Sequence, residues 1–255
     1  MLAGRDLQAG GTWFGLARDR RFGLVTNFRE PARPQPGAPT RGHLLTGYLQ
    51  TPRAPGQFLE QIADHASGYA GFNLLLADAA TLWYASNRAE TFCRPLPAGI
   101  YTLSNHLLDT PWPKVQRLRH ALERWLAAAT DERSAFDERS AADERSAFDE
   151  RSAADERSAA DERSAADERS ALWEALSDRQ RAEPHQLPAT GVTPEWEHLL
   201  SAPFVRHPDY GTRCSSLLLV GHDNRVVFEE RSFDAAGAAT QHARYTLPGT
   251  RWLES

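Results

Sequence analysis

At 255 residues, with 41% apolar residues and seven Trp, the chain is long enough to form one domain with a sizeable core. Its net charge of −5 comes from one tract: residues 131–172 hold seven Arg and fourteen Asp or Glu, and the remainder carries +2. That balance leaves no basic stripe for nucleic acid, no apolar run approaches the roughly 18–20 residues of a membrane span, and two cysteines, Cys93 and Cys214, offer neither a disulfide framework nor CxxC spacing.

In chain order, Gly10-Gly11 predicts a turn feeding a strand over Thr12 to Ala17. Arg18 to Arg21 is a polar reversal, and Phe22 to Phe28 a second strand. Four prolines between Pro31 and Pro39 mark a loop. A helix is expected from Pro55 to Ser67, because Phe58, Leu59, Ile62, Ala63 and Ala66 recur at spacings of three and four. Gly71 to Ala77 and Thr81 to Ser86 read as two strands joined tightly at Asp78, and Gly99 to Ser104 as another. Thr110-Pro111 has the form of a helix start, with a capping hydroxyl and proline at the first helical position. Val115, Leu118, Leu122, Trp125 and Ala129 then form an apolar stripe. Ser215 to Val220 and Arg225 to Phe233 flank the turn Gly221-His222-Asp223-Asn224 as a hairpin. The last twenty residues carry no signal. Hairpins separated by helices predict an α+β fold with antiparallel pairing and exclude a run of βαβ units.

Residues 131–172 are seven tandem hexapeptides, Asp-Glu-Arg-Ser-Ala followed by Phe, Ala or Leu. Six residues advance a helix by about 600°, so successive units face different ways and build no continuous apolar stripe. The tract reads as a low-complexity insert in a helix–helix connection, a solvated spacer or else an interaction arm. Only one of the basic residues, Lys114, is not Arg.

Five stretches, in order, carry a resemblance. They are Leu2 to Trp13 (LAGRDLQAGGTW), Thr26 to Pro31 (TNFREP), and Tyr69 to Leu75 (YAGFNLL). The fourth runs from Tyr84-Ala85-Ser86-Asn87-Arg88 through Leu103-Ser104-Asn105 to Asp109-Thr110-Pro111-Trp112-Pro113-Lys114-Val115, and the fifth from Leu187-Pro188-Ala189-Thr190-Gly191-Val192 to Tyr210-Gly211-Thr212-Arg213. Together they resemble the NRDE family, the proteins related to transport and Golgi organisation protein 2, over residues 2 to 129 and about 172 to 233. The resemblance implies a single domain over residues 1–255, interrupted by the insert. Its implied fold is the four-layer αββα sandwich of N-terminal nucleophile hydrolases. Family members begin Met-Cys and carry an Asn-Arg-Asp-Glu motif ahead of the matched part. Neither occurs here, so the first strand is expected to be missing and the chain as given to be catalytically inactive and unstable.

The resemblance implies two functions from different classes. One is binding or delivery of a hydrophobic metabolite, haem or an acyl lipid, by a cytoplasmic protein. The other is a cysteine amidohydrolase lacking its nucleophile here, since neither Cys93 nor Cys214 offers a free α-amine. For that second function, Asn105 and Asn87 resemble oxyanion-hole donors, Arg213 resembles the guanidinium that steadies the nucleophile, and Arg5, Asp6 and Arg88 are substrate-side candidates. His106 is the candidate haem ligand; no CxxCH occurs. Each has a structural reading too. Asn105 would cap the next helix, Arg213 and the Arg5–Asp6 pair would form ion pairs, Asn87 would shape a turn, and His106 would be a helix-start histidine.

Overall fold

The computed structural model describes residues 1–31, 37–143 and 169–249; the proline loop at 32–36 and the hexapeptide units at 144–168 lie outside the described residues. The first half of the chain is an antiparallel meander. Strands β1 (Leu2–Ala3), β2 (Phe14–Leu16), β3 (Phe22–Asn27), β4 (Phe72–Ala77), β5 (Leu82–Ser86) and β6 (Cys93–Leu96) lie side by side in sequence order. Between β3 and β4 the chain leaves the sheet to form helices α1 (Gly42–Gln50) and α2 (Pro55–Ala63).

Alternation along β4 assigns its two faces different work. Phe72, Leu74 and Leu76 point to the helices and are fully buried with Leu45, Tyr48 and Leu59. Each such side chain contributes roughly 1.5–3 kcal/mol by leaving water. The approach of α1 is close: a Cβ on Gly23 would stand 2.9 Å from the Leu45 side chain and 2.7 Å from the Leu75 carbonyl, so no larger residue fits that strand position. The opposite face presents Thr26, Asn73 and Tyr84, and this polar patch positions the candidate site.

After α3 (Pro113–Asp143) and helix α4 (169–176), a short helix α5 (Pro194–Leu199) leads to a second sheet. This sheet comprises β7 (Cys214–Val220), β8 (Val226–Phe233) and β9 (Ala239–Leu247), again antiparallel and in order. One face of β8 meets the first sheet, where Phe228 and Phe14 stack with centroids 5.3 Å apart. The guanidinium of Arg20 adds backbone ties to Asn224 and Pro248. The other face of β8 is covered by α4. Trp173 lies beneath the Arg231 guanidinium at 4.1 Å and donates its indole N–H to Glu229.

The α+β class and the antiparallel hairpins agree with the sequence reading. Three local expectations are corrected. Residues 99–104 form no strand, because Thr102 pairs its N–H with the Asp109 carboxylate and so has no sheet neighbour to bond. The third long helix starts at Pro113: Thr110 turns its hydroxyl back to the Leu107 carbonyl and caps nothing. The silent last twenty residues contain β9, and α1 gave no signal at all.

Candidate functional site

The polar patch on the first sheet is a closed hydrogen-bond network. Asn73, with no exposed surface, donates to Thr26 Oγ1 at 3.1 Å and to the His106 carbonyl at 3.0 Å, and accepts from the Tyr84 hydroxyl at 2.8 Å. Tyr84 in turn accepts from the Leu108 N–H, and Thr26 donates to the Ser104 carbonyl. Burying an amide costs several kcal/mol unless its bonds are made, so this set fixes one arrangement. What it fixes is the 102–109 segment, lashed across the ends of β3 and β4. Asp109, in the left-handed region at φ 59°, closes that loop by accepting from Thr102.

Against this segment lies a cavity of about 480 Å³, within the usual size range for small-molecule sites. Thr26 contributes from the first sheet, Ser104 and Asn105 from the 102–109 segment, and Ser216 and Leu217 from β7. Its helical wall is mostly hydrocarbon: Val115, Leu118, Ala121 and Leu122 on α3 and Leu172, Ala175 and Leu176 of α4. Three residues of the apolar stripe anticipated for α3, Val115, Leu118 and Leu122, thus line a cavity, and the last residue of the final hexapeptide belongs to its wall.

Among the described residues one charged side chain lines the cavity, that of Lys114, at the first turn of α3. Its ammonium donates to the Leu200 carbonyl at 3.0 Å and sits 5.9 Å from the centre of the Trp112 ring. Burial, reinforced by nearby Arg29, pulls its pKa down to about 8, with Glu197 acting the other way. Arg29 stacks on the same indole at 4.6 Å and pairs with Glu197 at 2.6 Å, both side chains buried. Glu197 is saturated, since its other oxygen accepts from the N–H and hydroxyl of Thr190. The motifs TNFRE and LPATG, far apart in sequence, therefore meet behind Lys114.

The residues singled out from sequence fall in separate places. Asn105 lines the cavity; it donates to the Asn27 carbonyl, and its own carbonyl accepts the Arg29 N–H. Asn87 braces a turn: its amide donates to the Ala66 and Tyr69 carbonyls and accepts from the Phe72 N–H. Arg88 grips Glu30 through two nitrogens at 2.9 and 2.8 Å. Asp6 makes no ion pair with Arg5; its carboxylate accepts the Gln8 and Ala9 N–H groups, which hold its pKa down. Arg213 is exposed and donates to the Asp234 carbonyl. Only Asn105 of this group reaches the cavity.

His106 lies between Phe28 and Trp112, at centroid distances of 4.8 and 5.7 Å. The Thr110 hydroxyl spends its hydrogen on Leu107, so His106 Nδ1 carries the proton in their 2.9 Å bond and Nε2 is the acceptor. Burial lowers its pKa and keeps the ring neutral. That chemistry suits an iron ligand, but His106 is not among the residues lining the cavity. Of the two thiols, burial pushes Cys214 up to about 11 and raises Cys93, so neither is an activated nucleophile at neutral pH.

Sequence reasoning gave no role to Glu197, nor to Arg29, Asn73, Tyr84 and Lys114, although these last four lie in the stretches that carry the resemblance. Among the described residues no helix is long and apolar enough to cross a membrane. Residues 1–235 match the protein family described as Transport and Golgi organisation 2. The chain is 30% identical to the human Transport and Golgi organization protein 2 homolog, the match covering 97% of this chain and 83% of the human protein. It is 28% identical to the mouse homolog with the same coverage, and 30% identical to the bovine homolog over 91% of this chain and 76% of that one.

Proposed function

Because the chain belongs to the Transport and Golgi organisation 2 family, we propose that it binds and delivers a hydrophobic metabolite of the acyl-lipid type, held in the cavity between α3, α4 and the 101–105 segment. The observation that carries this reading is the cavity itself: about 480 Å³, hydrocarbon along α3 and α4, with Lys114 at one end. An elongated ligand with a polar head matches that distribution, whereas haem would need the imidazole that lies outside it. The relatives are named for transport, in keeping with a carrier, whose place of action we propose is the cytoplasm.

In this reading the layering of α1 and α2, two sheets and α4 is the αββα sandwich of N-terminal nucleophile hydrolases, used as a container. Asn105 is a head-group donor, while Asn87, Arg88 and Asp6 hold the scaffold and Arg213 secures the start of β7. The test is titration of an environment-sensitive fluorescent fatty acid into the purified protein. Saturable binding at one site is expected, and Ala121→Trp, which fills the cavity from α3, should weaken it at least tenfold without lowering Tm. Absence of saturable binding to the wild-type chain would sink the proposal.

A further inference from the structure

Resting on that reading, we infer that the ligand's head is a carboxylate, received by Lys114 with Asn105 and Ser104. The argument is an inventory of hydrogens. Four hydroxyl groups on the cavity wall are already spent: Thr26 donates to the Ser104 carbonyl, Tyr101 to the Pro97 carbonyl, Thr102 to Asp109 and Ser216 to Glu230. Three side chains have hydrogens to spare. Lys114 uses one of three on Leu200, Asn105 uses one of two on Asn27, and the Ser104 hydroxyl has no partner among the described residues.

All three line the cavity, Ser104 and Asn105 are chain neighbours, and Asn105 is linked to Lys114 through Arg29 and Trp112. Asn105 accepts the Arg29 N–H through its carbonyl, and both Arg29 and Lys114 sit on Trp112. From Lys114, α3 carries Val115, Leu118 and Leu122 along the cavity, about 12 Å from Lys114 to Leu122 at helical rise. Head and tail positions are therefore separated along one axis.

The sign of the head follows from the charges around Lys114. Arg29 from the end of β3 and Glu197 from α5 face it, and Tyr101 shares the cavity. Glu197 is committed to Arg29 and Thr190, and among the described residues no Asp or Glu lines the cavity and no carboxylate lies within ion-pairing distance of Lys114. A partly buried cation with no carboxylate in ion-pairing distance is costly, and a ligand carboxylate supplies that partner. It accepts hydrogens from all three donors, whereas an alcohol head satisfies fewer and leaves the charge unpaired.

The experiment compares laurate with lauryl alcohol by calorimetric titration into the full chain. At about pH 7 the acid should bind at least tenfold more tightly, the worth of a charge-assisted hydrogen bond. At about pH 9.5 laurate stays ionised while Lys114 loses its proton, so the preference should shrink. Lys114→Met should abolish it at both pH values. The pH arm uses wild-type protein alone, so it decides the matter even where the variant folds poorly. Equal binding of acid and alcohol at about pH 7, or a preference unchanged at high pH, would overturn the carboxylate head and leave the apolar cavity standing. Failure of both ligands to saturate would overturn the cavity reading as well.

Discussion

Arg29 and Glu197 stand 168 residues apart in the chain and meet at 2.6 Å, with 7% and 4% of their side-chain surfaces exposed. The pair is the bolt between the first sheet and the helical segment that carries Leu200, and Arg29 Nη2 also donates to the Leu200 carbonyl. Removing one partner strands a buried charge. Glu197→Ala is expected to lower stability by about 3–5 kcal/mol in urea unfolding. Replacing both, with Arg29→Met and Glu197→Leu, should recover most of that loss, because the desolvation cost disappears with the charges. A double variant as unstable as the single one would contradict this account.

Asn73 gives a sharper test of what shapes the cavity wall. Tyr84→Phe removes the hydroxyl that serves both Asn73 and the Leu108 N–H, and should cost about 1–2 kcal/mol. Asn73→Leu removes the bonds to Thr26 and to the His106 carbonyl. It should free the 102–109 segment, visible as faster amide exchange at Leu107 to Asp109 with the exchange of β4 unchanged. Slow exchange in both segments would show that the segment is held by something else.

The depressed pKa of Lys114 makes stability depend on pH in a calculable direction. In the unfolded chain the ammonium titrates near its ordinary 10.5; folded, it titrates at about 8. Between those values Lys114 binds more protons in the unfolded state, a contribution that raises stability with pH. Burial raises the thiols of Cys93 and Cys214 and the phenols of Tyr48 and Tyr84, so the thiols offset the climb above about pH 9 and the phenols reverse it above about pH 10. Thermal melts should therefore show Tm climbing from about pH 8 to about pH 9, levelling, and then falling. Lys114→Met should flatten the climb and leave the fall. A Tm that declines steadily from pH 8 in the wild type would refute the assignment.

Glu229 holds the returning helix. Its buried carboxylate pairs with Arg169 at 3.0 Å, Arg244 at 3.3 Å and His242 at 3.4 Å, and accepts the Trp173 indole N–H. Arg169 and Trp173 belong to α4, whose Leu172, Ala175 and Leu176 line the cavity. Glu229→Ala should lower stability by about 3–5 kcal/mol and weaken ligand binding although it touches no ligand. Arg244→Ala, which strips one exposed partner, should cost under about 1 kcal/mol. Equal effects from the two would mean the carboxylate is not the anchor.

The hairpins were legible because their turns have local chemistry. Asp78 accepts the Ala80 and Thr81 N–H groups, as its position between two apolar runs suggested. Other elements had none. β6 contains Pro95, which a sheet tolerates only at an edge, and β9 is polar and mostly exposed, so neither alternates. α1 carries two glycines in nine residues and is helical because Leu45 and Tyr48 bury, a tertiary cause. The site divides the same way. Asn105 and the α3 stripe follow from local pattern, but the Arg29–Glu197 pair and the isolation of Lys114 exist only once distant segments meet.

The bolts between the two halves also set an order of events during synthesis. Arg20 waits 204 residues for Asn224, Phe14 waits for Phe228, and Thr26 shares its cavity with Leu217. The meander of β1 to β6 can pair and cover one face with α1 and α2 while the ribosome is still at work, because its contacts are local. Its other face, with Phe14 and the pocket floor, stays bare until β7 and β8 emerge. For most of translation the nascent chain therefore presents a greasy half-site to the cell, a natural substrate for chaperones. The cavity is the last thing the protein acquires, and a chain stopped before β7 would have a folded sheet and nowhere to put a ligand.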